Sequence, residues 1–119
     1  MTSELELPRI VNVESENWMD HSRFSGILLK PLLSACDNAL ANVFLVRIPP
    51  GREVGAHCHS AQVESVFVSS GEGMLKIRNV ERRFGMGEIV AIPIGVEHSL
   101  RNIGSVDIVV LAFFTPPII

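Results

Sequence analysis

Three of the four histidines in this chain, together with one glutamate, have the types and spacing of a metal site. His57 and His59 stand two positions apart in a strand-like segment, so their imidazoles point to the same face. Glu64 begins the next strand-like segment, and an antiparallel hairpin would return it beside the two histidines. His98 lies on a later strand, which a barrel can bring back against the first. Because buried polar groups need partners, we expect one divalent metal ion to satisfy all four side chains.

Each of these residues, taken alone, has a more ordinary interpretation. A single histidine is more often a hydrogen-bonded core or surface residue than a ligand, and a single glutamate is more often a solvated charge. The metal interpretation therefore depends on the joint spacing. Other reactive side chains are less well placed: Cys58 faces away from the two histidines by alternation, and Cys36 and His21 lie in irregular segments. We assign these three residues no role.

Short apolar segments separated by Gly and Pro must position the four side chains. Turn residues recur every eight to twelve positions and helical periodicity is hard to find, which indicates an all-β sandwich or barrel. The segments are rich in Val, Ile, Phe and Leu, as half-buried strands prefer. The predicted strands are Phe24–Leu29, Leu40–Ile48, Val54–His59, Glu64–Ser69, Met74–Arg78, Glu88–Ile92, Glu97–Asn102 and Asp107–Phe114.

Composition bounds the class of protein. A chain of 119 residues that is 47% hydrophobic fits one compact barrel domain, which we expect over residues 23–119, with an acidic arm over residues 1–22. The net charge of −3 offers no basic surface, so we expect no nucleic-acid partner. Glu4 and Glu6 stand where a signal peptide would be basic, and no apolar run is long enough to span a bilayer. We therefore expect no membrane partner and a cytoplasmic location.

Residues 51–102 resemble the paired motifs of the cupin superfamily, and in particular its small single-domain members of the cupin 2 type. The first motif is Gly, five residues, His-x-His, three or four residues, Glu, six residues, Gly. The second is Gly, five residues, Pro-x-Gly, two residues, His, three residues, Asn. The chain matches both motifs at Gly51, His57, His59, Glu64, Gly71, Gly87, Pro93, Gly95, His98 and Asn102. The resemblance implies a double-stranded β-helix, or jelly-roll barrel, with His57, His59, Glu64 and His98 as the metal ligands.

Several motif positions also have a structural explanation. Gly71 and Gly87 can supply positive φ at turns between strands. Pro93 and Gly95 would shape a tight corner ahead of His98. Asn102 would either brace that corner or orient a ligand, and the bracing role is favoured.

The predicted site has room for a ligand. Four protein ligands leave about two positions open on an octahedral ion, and Fe, Mn, Ni, Co, Cu and Zn are all compatible with this donor set. No lysine or second carboxylate faces inward, which disfavours acid–base chemistry. The expected cavity walls are Phe44, Val46, Val66, Val68, Leu100 and Phe113.

These features favour an Fe- or Mn-dependent oxygenase-like enzyme that acts on a small apolar or aromatic molecule. Whether the protein is an enzyme stays open at this stage. The alternative is a non-catalytic cupin that binds or senses a small molecule.

We also expect a homodimer. Phe67 lies on the strand face opposite Glu64, and the N-terminal arm carries Trp18, so an apolar outer surface needs covering. The resemblance implies the same, because small cupins generally pair through one sheet.

Overall fold

The structure is a computed structural model that describes residues 8–119. Within this range the chain forms ten strands and a short 3-10 helix at Val13–Ser15. Among residues 8–119 no helix is long and apolar enough to cross a membrane. The strands are β1 (Met19–Asp20), β2 (Leu28–Leu33), β3 (Asn42–Ile48), β4 (Glu53–His57), β5 (Val63–Ser70), β6 (Glu72–Ile77), β7 (Val80–Gly85), β8 (Ile89–Ile92), β9 (His98–Arg101) and β10 (Ile108–Thr115).

The ten strands form two antiparallel sheets that face each other. One sheet has six strands in the order β1-β2-β3-β10-β5-β8, and the other has four in the order β4-β9-β6-β7. Five of the eight pairs of adjacent strands are not consecutive in sequence, because the chain crosses repeatedly between the two sheets. This architecture confirms the predicted all-β jelly-roll barrel.

Side-chain alternation explains how the sheets enclose a core. In β10, Ile108, Val110, Ala112 and Phe114 are buried, whereas the residues between them are only half-buried. The same period of two in β5 buries Val66 and Val68. These inward residues meet side chains of the four-stranded sheet, such as Leu75, in one apolar core.

The strand predictions were correct for the centre of the barrel and wrong at its edges. The predicted strand Phe24–Leu29 is instead Leu28–Leu33, and the residues before it form an irregular segment. The short strand β1 and the edge strand β7 were not predicted. β7 was missed because its first four residues are exposed and mostly charged, a pattern that is more typical of a loop.

The predicted turn glycines have the expected conformation, whereas Asn102 braces a different corner from the one predicted. Gly71 and Gly87 have φ of 82° and 86°, in the left-handed region that favours glycine. Asn102 is buried and donates hydrogen bonds from Nδ2 to the carbonyls of Ile48 (2.9 Å) and Val106 (2.7 Å). It therefore braces the segment after β9. The predicted role at the corner of Pro93 and Gly95, ahead of β9, was wrong.

The described part of the expected N-terminal arm contacts the six-stranded sheet. β1 pairs with β2, and the Trp18 ring lies 4.7 Å from both the Lys30 ammonium and the Arg47 guanidinium. Lys30 Nζ also donates a 2.8 Å hydrogen bond to the carbonyl of Val13. Trp18 therefore packs on the barrel, while residues 1–7 of the arm lie outside the described range.

Candidate metal centre

The four predicted ligands come together between the two sheets. The ligand atoms of His57, His59, Glu64 and His98 all lie within 4.8 Å of one another. Ligands at right angles around an ion with bonds of about 2.1 Å would lie about 3 Å apart, so only small movements are needed to bind one. The cluster can therefore hold a metal ion.

The strands bring these residues together by a route that the sequence analysis did not predict. β4 and β5 do not form a hairpin, because they belong to different sheets. Instead β4 pairs with β9, which makes His57 and His98 direct cross-strand partners with ring centroids 4.3 Å apart. Glu64 reaches the cluster from the opposite sheet. The proposed hairpin was wrong, although the cluster it was meant to explain is present.

One backbone arrangement, used twice, sets the tautomer of two histidines. His57 Nδ1 lies 2.7 Å from the carbonyl of Gly55, and His98 Nδ1 lies 2.9 Å from the carbonyl of Val96. In both cases the histidine hydrogen-bonds the carbonyl two residues earlier. A proton on Nδ1 leaves Nε2 as the atom that can bind a metal, as in many metal sites.

The carboxylate of Glu64 is charged and shared by two histidines. Its Oε1 lies 2.9 Å from His98 Nε2 and 3.3 Å from His59 Nε2. Burial opposes the charged form, but the contacts with His59 and His98 outweigh burial and hold the pKa of Glu64 at about 2. Burial also lowers the pKa of His98, yet its hydrogen bond to Glu64 raises that pKa above the usual value. A metal ion would replace the proton that these two residues share.

His59 provides the clearest test of whether a metal fits. Its Nε2 is buried and has no hydrogen-bond partner within the described residues, because its contact with Glu64 is not in a hydrogen-bonding orientation. Such an unpaired buried nitrogen is costly in a folded protein. A cation beside Glu64 would satisfy it, so the donor set fits a divalent transition metal.

A cavity of about 390 Å³ adjoins the cluster, a size typical of small-molecule sites. Of the predicted wall residues, Phe44, Val46, Val66 and Leu100 do line it. Val68 is fully buried but lies outside the lining. Phe113 was a wrong prediction, because the inward series of β10 ends in Phe114. The other apolar lining residues are Phe24, Leu29, Ile48, Val54, Leu75, Phe84, Ile92, Val110, Ala112 and Ile118.

The sequence analysis missed the segment that precedes β2. His21, Ser22, Arg23 and Phe24 line the cavity, although His21 was assigned no role. The Phe24 ring packs 5.3 Å from the His57 ring. No spacing or motif in the sequence marks this segment, since its position depends on the tertiary fold.

Comparison with known proteins gives a consistent assignment. Residues 44–114 match the family model described as the Cupin domain. An oxalate-binding protein from Thermotoga maritima is 30% identical over 67 residues, which are 56% of this chain and 55% of that protein. Protein SchB from Streptomyces halstedii is 30% identical over 80 residues, which are 67% of this chain and 56% of that protein. The chain thus spans about half the length of these curated relatives.

A solved structure supports the fold. A crystal structure from Thermotoga maritima, described as a predicted oxalate decarboxylase, superposes with a TM-score of 0.82. The match covers 91% of this chain and 99% of that one at 24% identity. At this identity the likeness concerns the fold and not the activity.

Proposed function

Because the chain belongs to the cupin family, we propose that His57, His59, Glu64 and His98 hold one divalent transition metal, which serves a small ligand in the adjoining cavity. The observation that carries this proposal is the convergence of four ligand atoms around the unpaired, buried Nε2 of His59. Fe, Mn, Ni, Co, Cu and Zn all suit this donor set.

We propose further that the protein is an oxygenase-like enzyme. A bound Fe or Mn ion would supply dioxygen activation, and the protein would supply the ligands, the binding of substrate and the exclusion of water. Fifteen of the cavity-lining residues are apolar, and they favour an apolar or aromatic substrate by about 25 cal/mol for each Å² buried. Lysine, tyrosine and a second carboxylate are absent from the described lining, so the site suits chemistry centred on the metal.

The second candidate is a protein that binds a small molecule without turning it over. One relative is named for its binding of oxalate, a small chelating acid, and this supports a ligand of that kind. Oxalate itself is a poor match to this cavity, because it is much smaller and has no apolar surface to bury. The proposed partner is in either case a small molecule, and the two free cysteines suit a reducing, cytoplasmic location.

Metal analysis and oxygen uptake together test these proposals. Protein purified without a histidine tag should carry close to one metal ion per chain. Fe(II)- and Mn(II)-loaded protein should consume oxygen with a member of a panel of catechols, thiols, β-diketones and flavonols. Glu64→Ala is the negative control, and Glu53→Ala is the matched control, because Glu53 is exposed and lies outside the cavity.

Three outcomes separate the alternatives. Uptake above that of Glu64→Ala supports the oxygenase. Tight binding of an unreacted ligand with no uptake supports the binding protein. Substoichiometric metal after reconstitution contradicts both.

We also propose that the protein is a homodimer that pairs through the outer face of the six-stranded sheet. Cross-strand neighbours on this face form an apolar row of Leu45, Leu111, Phe67 and Ile89, of which Ile89 is 65% exposed. A second copy would cover this row by the same surface, as twofold symmetry requires. Light scattering at micromolar concentration should give a dimer mass, and Leu111→Glu should give a monomer with unchanged metal content. Val80→Glu, on the other sheet, should stay dimeric, and a monomeric wild type would contradict the proposal.

A further inference from the structure

The polar residues that line the cavity lie in two separate groups. One group is the metal cluster. The other consists of His21, Ser22 and Arg23, three consecutive residues before β2. Ser22 and Arg23 are exposed, whereas the rest of the lining apart from Ile118 is buried or half-buried, so this second group lies at the mouth of the cavity. The apolar wall separates the two groups.

Arg23 is positioned to bind an anion. Its guanidinium lies 5.1 Å from the centre of the Phe24 ring, and no carboxylate within residues 8–119 lies at ion-pair distance from it. Arginine is the side chain best suited to recognise a carboxylate, because its planar fork can donate two parallel hydrogen bonds. Within the described part of the chain, the mouth of the cavity therefore offers a guanidinium that no carboxylate neutralises.

His21 adds a donor beside it and shapes the segment. Its Nδ1 accepts hydrogen bonds from the backbone N–H groups of Arg23 (3.0 Å) and Phe24 (3.2 Å). The proton of the neutral ring is therefore on Nε2, which can donate to a ligand oxygen. Burial, and secondly the charge of Arg23, lower the pKa of His21 and so favour this neutral form.

Phe24 connects the two polar groups. Its ring lies 5.0 Å from His21 on one side and 5.3 Å from His57 on the other. This spacing suits a ligand made of one aromatic ring and a short side chain. A divalent ion with Glu64 would leave one positive charge at the inner end, so both ends of the cavity favour negative or electron-rich oxygen atoms.

We propose that Arg23, assisted by His21, binds the carboxylate of a small aromatic or apolar acid whose other end carries chelating oxygens for the metal cluster. This inference rests on the proposed metal site, and it adds the class of ligand and the residues that select it. Neutral molecules of the same shape should bind more weakly, because they carry no charge to pair with Arg23.

Two catechols test this selection. 3,4-Dihydroxyphenylacetate and 4-methylcatechol share the same chelating oxygens, but only the first carries a carboxylate. Calorimetric titration into Zn-loaded wild type should show the acid binding about two- to fivefold more tightly, the range expected for an exposed ion pair. The difference should shrink as salt is added.

Three variants test whether Arg23 and His21 cause the preference for the acid. Arg23→Gln should bind both catechols equally, with unchanged affinity for 4-methylcatechol. Arg101→Gln removes the same charge from an exposed position outside the cavity and should keep the preference. His21→Asn retains an acceptor for the backbone N–H groups and removes the Nε2 donor, so it should lose part of the preference. Thermal melting should show that each variant is folded.

The outcomes distinguish this inference from the proposed function. Equal binding of the two catechols by wild type, or a preference that persists in Arg23→Gln, overturns the role of Arg23 and leaves the metal site standing. Failure of both catechols to bind the Zn-loaded protein overturns the ligand class together with the proposed ligand site.

Discussion

Replacing His98 by alanine separates the contribution of the metal site to folding from its contribution to binding. The His98 side chain is only 6% exposed, and its ring contacts the Val96 carbonyl and Glu64 at 2.9 Å each. His98→Ala leaves both partners without that contact in a buried site. Each such loss costs about 1–3 kcal/mol, although Glu64 keeps its contact with His59, so we expect about 2–3 kcal/mol in the metal-free protein. A domain with about 5–15 kcal/mol of stability should remain folded.

Metal adds a second difference of similar size between the stabilities of wild type and His98→Ala. A metal ion that binds only the folded state, and whose free concentration is 100 times its dissociation constant, stabilises the folded state by about 2.7 kcal/mol. In a domain of this size that is a rise in Tm of roughly 10 °C. Loss of one of four ligands should weaken binding at least about 100-fold. At the same metal concentration the variant then gains only about 0.4 kcal/mol, or roughly 2 °C.

Calorimetric melting in chelator measures the cost of the substitution without metal. Melting with Zn²⁺ then measures the stabilisation that the metal adds. Wild type and His21→Asn should show the full metal-induced rise in Tm, because His21 is the one histidine outside the cluster. His98→Ala should melt lower in chelator and should show little rise. A full rise in His98→Ala would refute the assignment of His98 as a ligand. An unfolded His98→Ala in chelator would refute the view that the barrel folds without help from this site.

Two further substitutions test how motif positions shape the barrel. Asn102→Ala should lower the free energy of unfolding by about 2–4 kcal/mol in urea titrations, because its side chain makes three hydrogen bonds to backbone groups; unchanged stability would contradict its bracing role, and the metal content should not change. Gly71→Ala should lower the free energy of unfolding more than Gly87→Ala does. Both glycines have positive φ, which costs an alanine about 1–2 kcal/mol. A Cβ at Gly71 would also lie 2.4 Å from the Asp107 carbonyl oxygen, which adds about 1–3 kcal/mol, whereas a Cβ at Gly87 meets no atom within 4 Å. Equal losses in urea titrations would show that the close approach at Gly71 does not matter.

The cluster was predictable because much of its geometry is local. The predicted strand contained both histidines, whereas β4 ends at His57 and His59 lies two residues beyond it. Their closeness in sequence still keeps the two rings together, with centroids 5.0 Å apart. The partner strands were not predictable in this way. The hairpin expected between the segments of His59 and Glu64 does not form, since pairing depends on contacts that are distant in sequence. The joint motif, rather than the imagined hairpin, carried the prediction.

The errors at Phe113 and in β7 have separate physical causes. Strand alternation gives two possible faces, and a shift of one residue exchanges them, so Phe113 was assigned to the cavity where Phe114 lies. β7 is an edge strand, hydrogen-bonded to β6 on one side only. Glu81, Arg82 and Arg83 are exposed there, so no apolar pattern marks the strand.

The two ends of the cavity also differ in how far the sequence reveals them. The inner end is formed by residues at motif spacing, of which His57, Glu64 and His98 lie on strands and His59 lies two residues past the end of β4. The outer end is formed by an irregular segment whose shape depends on the ring of His21 and on Gly26, which has φ of 78°. Substitutions of its exposed residues Ser22 and Arg23 should leave the barrel and the cluster intact, whereas Phe24 packs against the His57 ring. Relatives that share the cluster can therefore differ in ligand, and residues 21–24 are where a difference in selectivity would arise.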